Sequence, residues 1–513
     1  MNFASEIISD RALHNPEGTA VICNGEALSN RQFAAAALTI MRILNEHAHK
    51  ETEHRALLYL TNGPLAYASI LGCLLAGWTY CPQSPSSPIE KIRSVFVEFE
   101  PDVVLTSSSQ QQEVQTILNT TSSSDPSKLL VVDFALDQEG FAEGDIQTLV
   151  EPEHDVAYVI FTSGTTGTPK GIQISVESLA HYVQWLRNTI ECGTGDRVLN
   201  FSPLEFDLSV GEIFLGLSSG STLVPCVTLG ERSLPTRFIT QHRISHMFVV
   251  PSLITVMRVE NRDSSSAPKL PGLKFVAFCG EPLTSSQVAF LQSENSHVRM
   301  MNTYGPAETT VSCTELEISD DVLDYCRRAN LEILPIGWPI KGMNLEILDA
   351  DEKGIGELLI TGPQVGKGYL SGDEQQRFSF DSRTVVRSFA TGDLATIGDY
   401  GFEFVGRKDR QVKIRGVRIE LEEVEAVLGR VSGTKVAVVL ADTKLIALSD
   451  NPSWQDSRNL ELWQSKCLEY LRSEAVPVRL IHVRSLPLSP SGKLDYVEIV
   501  SRLKNGSAGY DRA

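Results

Sequence analysis

Ten consecutive residues, Thr162–Gly171, combine the groups that hold a phosphate chain in a protein. The segment contains five hydroxyl side chains, three glycines and one lysine. Glycines let backbone N–H groups approach an anion, hydroxyls donate further hydrogen bonds, and Lys170 adds a positive charge. It is not a Walker A loop, because no Gly-Lys-Ser/Thr sequence follows at the required spacing. The composition therefore favours a polyphosphate-binding loop, with an ordinary polar turn as the alternative.

The residues around this loop predict the elements that would position it. Val156–Thr162 is rich in β-forming residues and predicts a strand that leads into the loop. Ser175–Ile190 predicts a helix, with Ser175 as its N-cap and Glu177 in its first turn. Similar strand–loop–helix units recur along the chain, which indicates an α/β layered architecture.

The character of the chain changes after about residue 406. A dense basic run is followed there by about a hundred residues with their own α/β pattern. A chain of 513 residues is expected to form two to four structural units, at ~100–200 residues per domain. We therefore place a boundary near Asp409, which predicts domains at 1–408 and 409–513.

Charge and composition limit the classes of partner. The 45 basic and 64 acidic side chains give a net charge of −19. Such a surface repels nucleic acid and anionic membranes, so we expect neither as a partner. The most apolar stretch, Ile70–Tyr80, is too short to span a bilayer, and the N-terminal residues lack an apolar signal core. Nine scattered cysteines without a CxxC pair are typical of free thiols in a reducing compartment. Together these features predict a soluble, cytoplasmic protein with no membrane insertion.

The phosphate-binding loop also resembles the corresponding loop of a known family, the acyl-adenylate-forming superfamily. That superfamily includes acyl-CoA synthetases, luciferases and the adenylation domains of non-ribosomal peptide synthetases. Further segments are similar to its motifs and occur in the same order, namely Leu75–Pro82, Asn302–Thr309, Thr391–Leu394, Gly406–Gly416 and Pro487–Lys493. The chain is thereby identified as an adenylating enzyme, which activates a carboxylic acid with ATP.

The resemblance implies an α/β fold in two parts. We expect a large N-terminal domain of layered α/β subdomains plus a small β-barrel, followed by a small, mobile C-terminal α/β lid. The lid is expected to carry the catalytic residue, Lys493, which in the family bonds the substrate carboxylate and the α-phosphate as pyrophosphate leaves. Asp409 resembles the hinge residue about which the lid swings between the two half-reactions.

The motifs also assign residues to ATP and Mg²⁺. Tyr304 is expected to stack on adenine, Asp393 to accept the ribose hydroxyls, and Arg407 to reinforce that contact. Glu308 is the expected Mg²⁺ ligand. The residues predicted to bind the nucleotide are Thr162, Ser163, Gly164, Thr165, Thr166, Gly167, Lys170, Gly280, Glu281, Pro282, Asn302, Thr303, Tyr304, Gly305, Asp393 and Arg407.

Three residues depart from the family pattern. Phe389 and Ala390 stand where a Tyr and an Arg usually precede the Thr-Gly-Asp segment. Glu422 replaces a common glycine. The missing arginine leaves open what supports Asp393.

The substrate prediction depends mainly on Asp207. It lies in a segment, Glu205–Val210, similar to the one with which adenylation domains bind a substrate α-ammonium group. A buried carboxylate without a cationic partner is costly, so Asp207 favours an amine-bearing acid; the alternative is a turn-capping role. The other pocket residues, by the family's layout, are Leu208, Gly211, Phe248, Ala277, Cys279, Thr303, Val311 and Ser312.

These pocket residues carry no charge or amide, so a charged or amide side chain on the substrate would have no partner. The sequences of the pocket segments most resemble those of the D-alanine–carrier protein ligases. In those ligases a cysteine at the position of Cys279 crowds one face of the substrate Cα. Glycine or alanine, including D-alanine, is therefore favoured. Gly211 and Ala277 are smaller than we expect for those ligases, which keeps a larger apolar amino acid as an alternative.

The second half-reaction needs an acceptor thiol. Only 20 residues follow Lys493, without a phosphopantetheine attachment motif, so we expect a freestanding enzyme and a separate phosphopantetheinylated carrier protein. A basic run could dock an acidic carrier, although a solvated strand is the favoured interpretation; it comprises Arg407, Lys408, Arg410, Lys413, Arg415 and Arg418. An acyl-CoA ligase is the main alternative, against which Asp207 argues. A non-catalytic module is disfavoured by the joint presence of Lys170, Glu308, Asp393 and Lys493.

Overall fold

The computed structural model describes residues 3–48, 53–120, 129–132, 146, 149, 154–162, 169–261, 270–371, 373–383, 386–441, 443–488 and 494–504. The chain divides into two compact units. The first consists of Met1–Pro85, Phe96–Ile160 and Gly171–Lys408, and the second of Ser86–Val95, Phe161–Lys170 and Asp409–Ala513. The second unit thus includes two short N-terminal segments that the predicted division of the chain assigns to the first domain.

The strands are numbered in chain order. They are β1 (Thr19–Cys23), β2 (Glu26–Ser29), β3 (Arg55–Tyr59), β4 (Thr79–Gln83), β5 (Val103–Thr106), β6 (Leu129–Val131), β7 (Val156–Thr162), β8 (Lys170–Ser175), β9 (Arg197–Asn200), β10 (Thr222–Pro225), β11 (His246–Val249), β12 (Phe275–Phe278), β13 (Arg299–Tyr304), β14 (Thr314–Glu317), β15 (Trp338–Pro339), β16 (Asn344–Leu348), β17 (Gly356–Thr361), β18 (Gly368–Tyr369), β19 (Phe378–Asp381), β20 (Val386–Gly398), β21 (Gly401–Arg407), β22 (Gln411–Ile414), β23 (Val417–Glu420), β24 (Ala437–Ala441), β25 (Lys444–Ser449) and β26 (Arg479–His482).

The α-helices are numbered in the same way. They are α1 (Phe3–Ser9), α2 (Asn30–Glu46), α3 (Pro64–Ala76), α4 (Ile89–Phe99), α5 (Gln111–Thr120), α6 (Val176–Thr189), α7 (Asp207–Ser219), α8 (Leu229–Ser233), α9 (Pro235–Gln241), α10 (Pro251–Glu260), α11 (Ser285–Glu294), α12 (Asp320–Arg328), α13 (Leu421–Ser432), α14 (Ser457–Cys467) and α15 (Tyr496–Lys504). Shorter helical segments are a π-helix at Asp10–His14 and 3₁₀ turns at Ser108–Gln110, Ala307–Thr309, Asp373–Arg377, Pro452–Gln455 and Ser473–Ala475.

Two large sheets form the framework of the N-terminal part. One has nine strands in the order β15-β14-β13-β12-β11-β9-β10-β1-β2, and the other has seven in the order β18-β8-β7-β4-β3-β5-β6. Their central strands pair in parallel, and helices such as α3, α7 and α11 connect consecutive strands, as parallel pairing requires. Strands such as β11 are continuous runs of buried residues, as expected for parallel sheets covered on both faces.

The elements predicted beside the phosphate-binding loop are confirmed. The strand β7 spans Val156–Thr162, and α6 begins directly after Ser175, whose hydroxyl accepts a hydrogen bond from the Ser178 N–H at 3.0 Å. The apolar stretch at Ile70–Tyr80 forms the end of α3 and the start of β4, which are buried. Among the helices of the described residues, none combines the length and the apolar composition needed to cross a membrane. The predicted cytoplasmic location stays a prediction.

An antiparallel sheet follows the two large sheets along the chain. Its strands lie in the order β16-β17-β20-β19, and β21 pairs with β20. Where the resemblance implies a small β-barrel, the structure has this five-stranded antiparallel sheet. The pairing of β20 with β21 places Asp393 opposite Arg407, and so brings together two residues of the predicted site.

The second unit has its own small sheets and core. It contains the hairpin β22–β23 and the three-stranded sheet β24-β25-β26. Buried residues of that sheet, such as Val439 and Leu448, pack with Ile499 of α15. Arg410 connects this core to α13, because its guanidinium donates hydrogen bonds to Glu425 at 2.9 Å and to the Val438 carbonyl at 2.6 Å. A large and a small α/β part thus agree with the predicted fold class.

Candidate active site

Three neighbouring parallel strands, β11, β12 and β13, bring much of the predicted substrate pocket to their carboxyl ends. β12 lies between β11 and β13, with Ala277 opposite both Phe248 and Met301. Successive side chains in a strand point to opposite faces, so Cys279 and Thr303, each two residues further on, share the face of Ala277. Phe248, Ala277 and Cys279 belong to one buried cluster. The predicted pocket positions therefore lie together.

Helix α7 supplies the residue predicted to bind the substrate amine. The helix begins at Asp207, whose carboxylate accepts a hydrogen bond from the Leu208 N–H at 2.8 Å. The free N–H groups and the dipole at a helix N-terminus stabilise a negative charge there. One turn later, a Cβ atom built on Gly211 would meet the side chains of Val311 and Phe248 at 3.5 and 3.6 Å. The residues of the predicted pocket thus come from α7, the strand ends and the segment around Val311.

The segment around Val311 has an unusual backbone. Thr310 and Val311 have φ angles of 59° and 68°, a conformation that β-branched residues rarely adopt. Gln364 fixes this segment, because its side-chain amide donates to the carbonyls of Thr310 and Ser312 at 3.2 and 2.9 Å. Its backbone carbonyl accepts from the Thr310 hydroxyl at 2.7 Å. The Cys279 thiol also donates to the Val311 carbonyl at 3.5 Å. Hydrogen bonds from side chains to backbone carbonyls therefore hold this side of the predicted pocket.

Asp393 lies at the centre of the predicted ribose site. Its side chain is almost fully buried; one carboxylate oxygen accepts a hydrogen bond from the Tyr304 hydroxyl, and the other pairs with the Arg407 guanidinium. Burial, together with the charge of Asp393, raises the pKa of Tyr304 well above its ordinary value. The hydroxyl of Tyr304 therefore stays protonated and donates to the carboxylate.

Arg377 supports the Asp393 segment, and no sequence motif indicates it. Its guanidinium donates hydrogen bonds to the carbonyls of Ala390, at 3.0 Å, and Thr391, and its centre lies 5.0 Å from the ring centre of Phe389. The Thr391 hydroxyl accepts a hydrogen bond from the Asp393 N–H at 3.0 Å. Although Ala390 replaces the usual arginine, a positive charge still reaches this segment from another part of the chain.

Two glycines of the predicted nucleotide site are explained by the backbone. Gly280 has a φ angle of 90°, in the region that favours glycine. A Cβ atom on Gly305 would lie 2.7 Å from the Ser312 Cα and 2.8 Å from the Val311 carbonyl oxygen, so only glycine fits this close approach.

Three polar residues of the same predicted site hold the backbone in place. The Glu281 carboxylate accepts a hydrogen bond from the Ser252 N–H at 2.8 Å, near the start of α10. The buried Asn302 amide donates to the Pro335 carbonyl at 2.8 Å, and the Thr303 hydroxyl to the Phe278 carbonyl at 2.8 Å. These bonds orient the ends of β12 and β13 around the site.

Glu308, the predicted Mg²⁺ ligand, lies in the 3₁₀ turn at Ala307–Thr309. It is fully buried, and one carboxylate oxygen accepts a hydrogen bond from the Tyr369 hydroxyl at 2.7 Å. Mg²⁺ binds hard oxygen donors, usually one or two carboxylates together with substrate phosphates and water. The Glu308 carboxylate fits that role, and the Tyr369 hydroxyl would orient it.

The chain matches a known family over most of its length. Residues 8–370 match the family described as AMP-binding enzyme. The chain belongs to this family. It is an AMP-forming ligase, as its motifs predict.

The relatives of this AMP-binding enzyme include short ligases and much longer synthetases. It is 32% identical over 456 residues to a D-alanine–D-alanyl carrier protein ligase of Lactiplantibacillus plantarum, a match that covers 85% of this chain and 86% of the relative. It is 30% identical over 507 residues to tyrocidine synthase 3 of Brevibacillus parabrevis, but it spans only 7% of that protein.

Solved structures share the fold of this AMP-binding enzyme. The Vibrio cholerae adenylation domain AlmE, in complex with glycyl-adenosine-5′-phosphate, matches with a TM-score of 0.82 and 25% identity over 98% of each chain. The amide bond synthetase McbA from Marinactinospora thermotolerans matches with a TM-score of 0.80 at 22% identity, over 98% of this chain and 99% of its own.

Part of the predicted site lies outside the described residues, namely Ser163, Gly164, Thr165, Thr166, Gly167 and Lys493. Thr162 ends β7 and Lys170 begins β8, on either side of the phosphate-binding loop. Asp409 is exposed, and its carboxylate accepts a hydrogen bond from the Gln411 N–H at 3.2 Å. The roles of the loop, Lys493 and the Asp409 hinge stay predictions for this AMP-binding enzyme.

Most of the basic run is engaged in ion pairs within the chain. The pairs are Arg407 with Asp393, Lys408 with Glu357 at 2.8 Å, Arg410 with Glu425 at 2.9 Å and with Glu422 at 3.2 Å, and Arg418 with Glu420 at 3.3 Å. The pairing of Arg410 with Glu422 gives a role to one of the residues that depart from the family pattern. These pairs favour a structural interpretation of the run over a docking surface.

A second group of potential metal ligands comes together outside the predicted site. The ligand atoms of Cys192, Asp196 and His246 lie within 4.8 Å of one another, although His246 is distant from the other two in the sequence. Asp196 is paired with Lys274 at 2.7 Å, and His246 is hydrogen-bonded to the Glu191 carbonyl at 2.8 Å. We therefore interpret the group as structural.

Proposed function

We propose that this chain activates a small amino acid, glycine or alanine and including D-alanine, as the aminoacyl-AMP, and then transfers it to the phosphopantetheine thiol of a separate carrier protein. The observation that carries the proposal is the position of Asp207, in the first turn of α7 beside the pocket residues. A carboxylate there would neutralise a substrate α-ammonium group. The names of the carrier protein ligases and the glycyl-adenylate bound to AlmE support a small aminoacyl group.

Each polar group of the site has one task in this proposal. Tyr304 and Arg407 orient Asp393, whose oxygens retain further lone pairs for the ribose hydroxyls of ATP. Glu308 would hold Mg²⁺, which neutralises phosphate charge when bound. Asp207 would fix the substrate amine and so orient its carboxylate for attack on the α-phosphate. Lys493 would stabilise the charge that develops there.

Amino-acid-dependent ATP–pyrophosphate exchange tests the first half-reaction. Across glycine and the common L- and D-amino acids, we expect exchange with glycine or alanine. Asp207→Asn keeps the shape but loses the charge, so kcat/KM for the amino acid should fall at least ~100-fold while KM for ATP stays nearly constant. Asp351→Asn, in an exposed turn, is the matched control and should behave like the wild type. Exchange driven only by fatty or aryl acids would exclude an amino-acid substrate.

The acceptor is tested by transfer of a radiolabelled amino acid to a holo-carrier protein or to CoA. We expect a thioester on the carrier, whereas label on CoA would support the acyl-CoA ligase. Lys493→Ala should abolish adenylation, and full adenylation by that variant would exclude the catalytic role predicted for Lys493.

A larger apolar amino acid, activated for peptide synthesis, is the second candidate. The small residues Gly211 and Ala277 favour it, as does the similarity to tyrocidine synthase 3 over 96% of this chain. Exchange that is faster with valine, leucine or phenylalanine than with alanine would select this candidate.

A further inference from the structure

Tyr182 occupies space that the predicted pocket leaves open. A Cβ atom built on Gly211 would lie 2.8 Å from the Tyr182 hydroxyl oxygen, closer than to Val311 or Phe248. The hydroxyl therefore fills the position that a side chain at residue 211 would take. Tyr182 lies on α6, outside the motifs that carry the family resemblance.

The surroundings of Tyr182 are the pocket residues themselves. Its side chain is fully buried, and Ser312, Cys279 and Asp207 lie close enough to affect its ionisation. Burial raises the pKa of Tyr182 well above its ordinary value, so the hydroxyl is neutral and able to donate a hydrogen bond. The Ser312 hydroxyl faces the Tyr182 hydroxyl, and its hydrogen bond partly opposes the rise in the pKa of Tyr182.

Packing fixes the position of the Tyr182 ring. The ring stacks on Trp185 with 5.5 Å between the ring centres, and the Trp185 indole N–H donates to Glu315 at 2.7 Å. The hydroxyl is therefore held in place from the helix side, as a pocket wall requires.

We propose that Tyr182 is a specificity-determining residue, whose hydroxyl closes the space beside Gly211 and limits the substrate to side chains no larger than that of alanine. This inference rests on the proposed function, because it concerns the same amino-acid pocket. It would explain how a chain with glycine at 211 and alanine at 277 selects a small substrate. A tyrosine with only a core-packing role would affect stability but not the choice between amino acids.

The amino-acid profile of Tyr182→Leu tests the proposal. This variant loses the hydroxyl and the ring, so the ratio of kcat/KM for valine or leucine to that for alanine should rise at least ~10-fold, since one methylene in a pocket is worth about 10–200-fold. Tyr59→Leu, which removes an equally buried tyrosine from β3, should leave the ratio unchanged. An unchanged ratio in a folded Tyr182→Leu protein would overturn the proposal.

If Tyr182→Leu does not fold, a second set of variants tests the contact between residue 211 and the Tyr182 hydroxyl. Gly211→Ala places a methyl group 2.8 Å from the Tyr182 hydroxyl and should reduce kcat/KM for the native substrate at least ~10-fold. Tyr182→Phe removes that hydroxyl, so the double variant should recover most of the activity. Equal losses with and without the hydroxyl would contradict the proposed contact.

The wild-type profile separates this inference from the proposed function. If no amino acid supports exchange, both fail. If small amino acids support exchange and the Tyr182 variants keep the wild-type profile, only the role of Tyr182 fails.

Discussion

The carboxylate of Asp393 accepts a hydrogen bond from the Tyr304 hydroxyl, although the two residues are 89 positions apart in the chain. Tyr304 ends a strand of the nine-stranded sheet, whereas Asp393 belongs to the antiparallel sheet. The bond thus joins the residue predicted to contact adenine to the residue predicted to contact ribose. The relative position of the two contacts depends on how these sheets are held together.

Loss of this bond should weaken ATP binding. Tyr304→Phe keeps the ring but not the hydroxyl, and a hydrogen bond to a charged group contributes ~1.5–3 kcal/mol. We therefore expect KM for ATP to rise about tenfold in pyrophosphate exchange. Tyr325→Phe, which loses a similar bond to Glu403 at 2.7 Å, is the control and should leave KM for ATP unchanged. The same rise in both variants would point to a general loss of stability.

Arg377 should matter for stability and for ATP binding. Arg377→Ala removes the hydrogen bonds to the carbonyls of Ala390 and Thr391, and should lower the free energy of unfolding by ~1–3 kcal/mol and raise KM for ATP. Arg377→Lys should restore only part of the lost stability and ATP binding, because an ammonium group lacks the planar fork of a guanidinium. Urea denaturation measures the first effect. Arg383→Ala is the control. It removes an exposed arginine paired with Asp381 and should lower the free energy of unfolding by less than ~1 kcal/mol.

Glu308 should control the Mg²⁺ requirement. Glu308→Gln still accepts a hydrogen bond from Tyr369 but loses its charge, so the Mg²⁺ concentration for half-maximal exchange should rise at least ~10-fold. Tyr369→Phe keeps the charge and should have a smaller effect. Chelation of Mg²⁺ should abolish exchange by the wild type. A Mg²⁺ titration of Glu308→Gln identical to that of the wild type would rule out the predicted ligand role.

Glu212 should make the stability of the fold depend on pH. Burial raises its pKa from 4.5 to about 7, although Ser202, Asn200 and Phe201 donate hydrogen bonds to it. The folded protein therefore binds this proton more tightly than the unfolded chain does. The resulting stabilisation is complete below about pH 4.5 and is lost as the pH rises through about 7.

Urea unfolding of the wild type and Glu212→Gln between pH 5 and 8 measures this effect. The free energy of unfolding of the wild type should fall relative to that of the variant by up to about 3 kcal/mol, at 1.36 kcal/mol per pKa unit. If the free energy of unfolding of the wild type instead rises with pH relative to that of Glu212→Gln, the hydrogen bonds to the carboxylate outweigh its burial.

Features close to a strand end or a helix start could be predicted from the sequence. The strand Val156–Thr162 has a local pattern of β-forming residues, and Ser175 caps α6 through a bond to a residue three positions away. Tyr304 and Asp393 belong to recognisable motifs. Their mutual hydrogen bond was implied by none of these local signals, because it depends on the packing of two sheets.

Other parts of the site could not be predicted, because they depend on side chains that arrive from elements without a motif. Arg377 reaches Thr391 from a 3₁₀ turn, and Gln364 reaches Thr310 from the chain after β17. Pocket size is a further example. From the sequence, glycine at 211 suggests open space in the pocket. In the structure, the Tyr182 hydroxyl occupies the space beside this glycine.

The positive φ angles of Thr310 and Val311 have a consequence for directed evolution of substrate choice. Residues held in this conformation store ~1–3 kcal/mol of strain, which Gln364 sustains through its hydrogen bonds. Saturation libraries at these two codons should first enrich glycine and asparagine, which relax the backbone, before they enrich any change of side-chain volume. Diversity is better placed on helices, where the backbone sets no such preference.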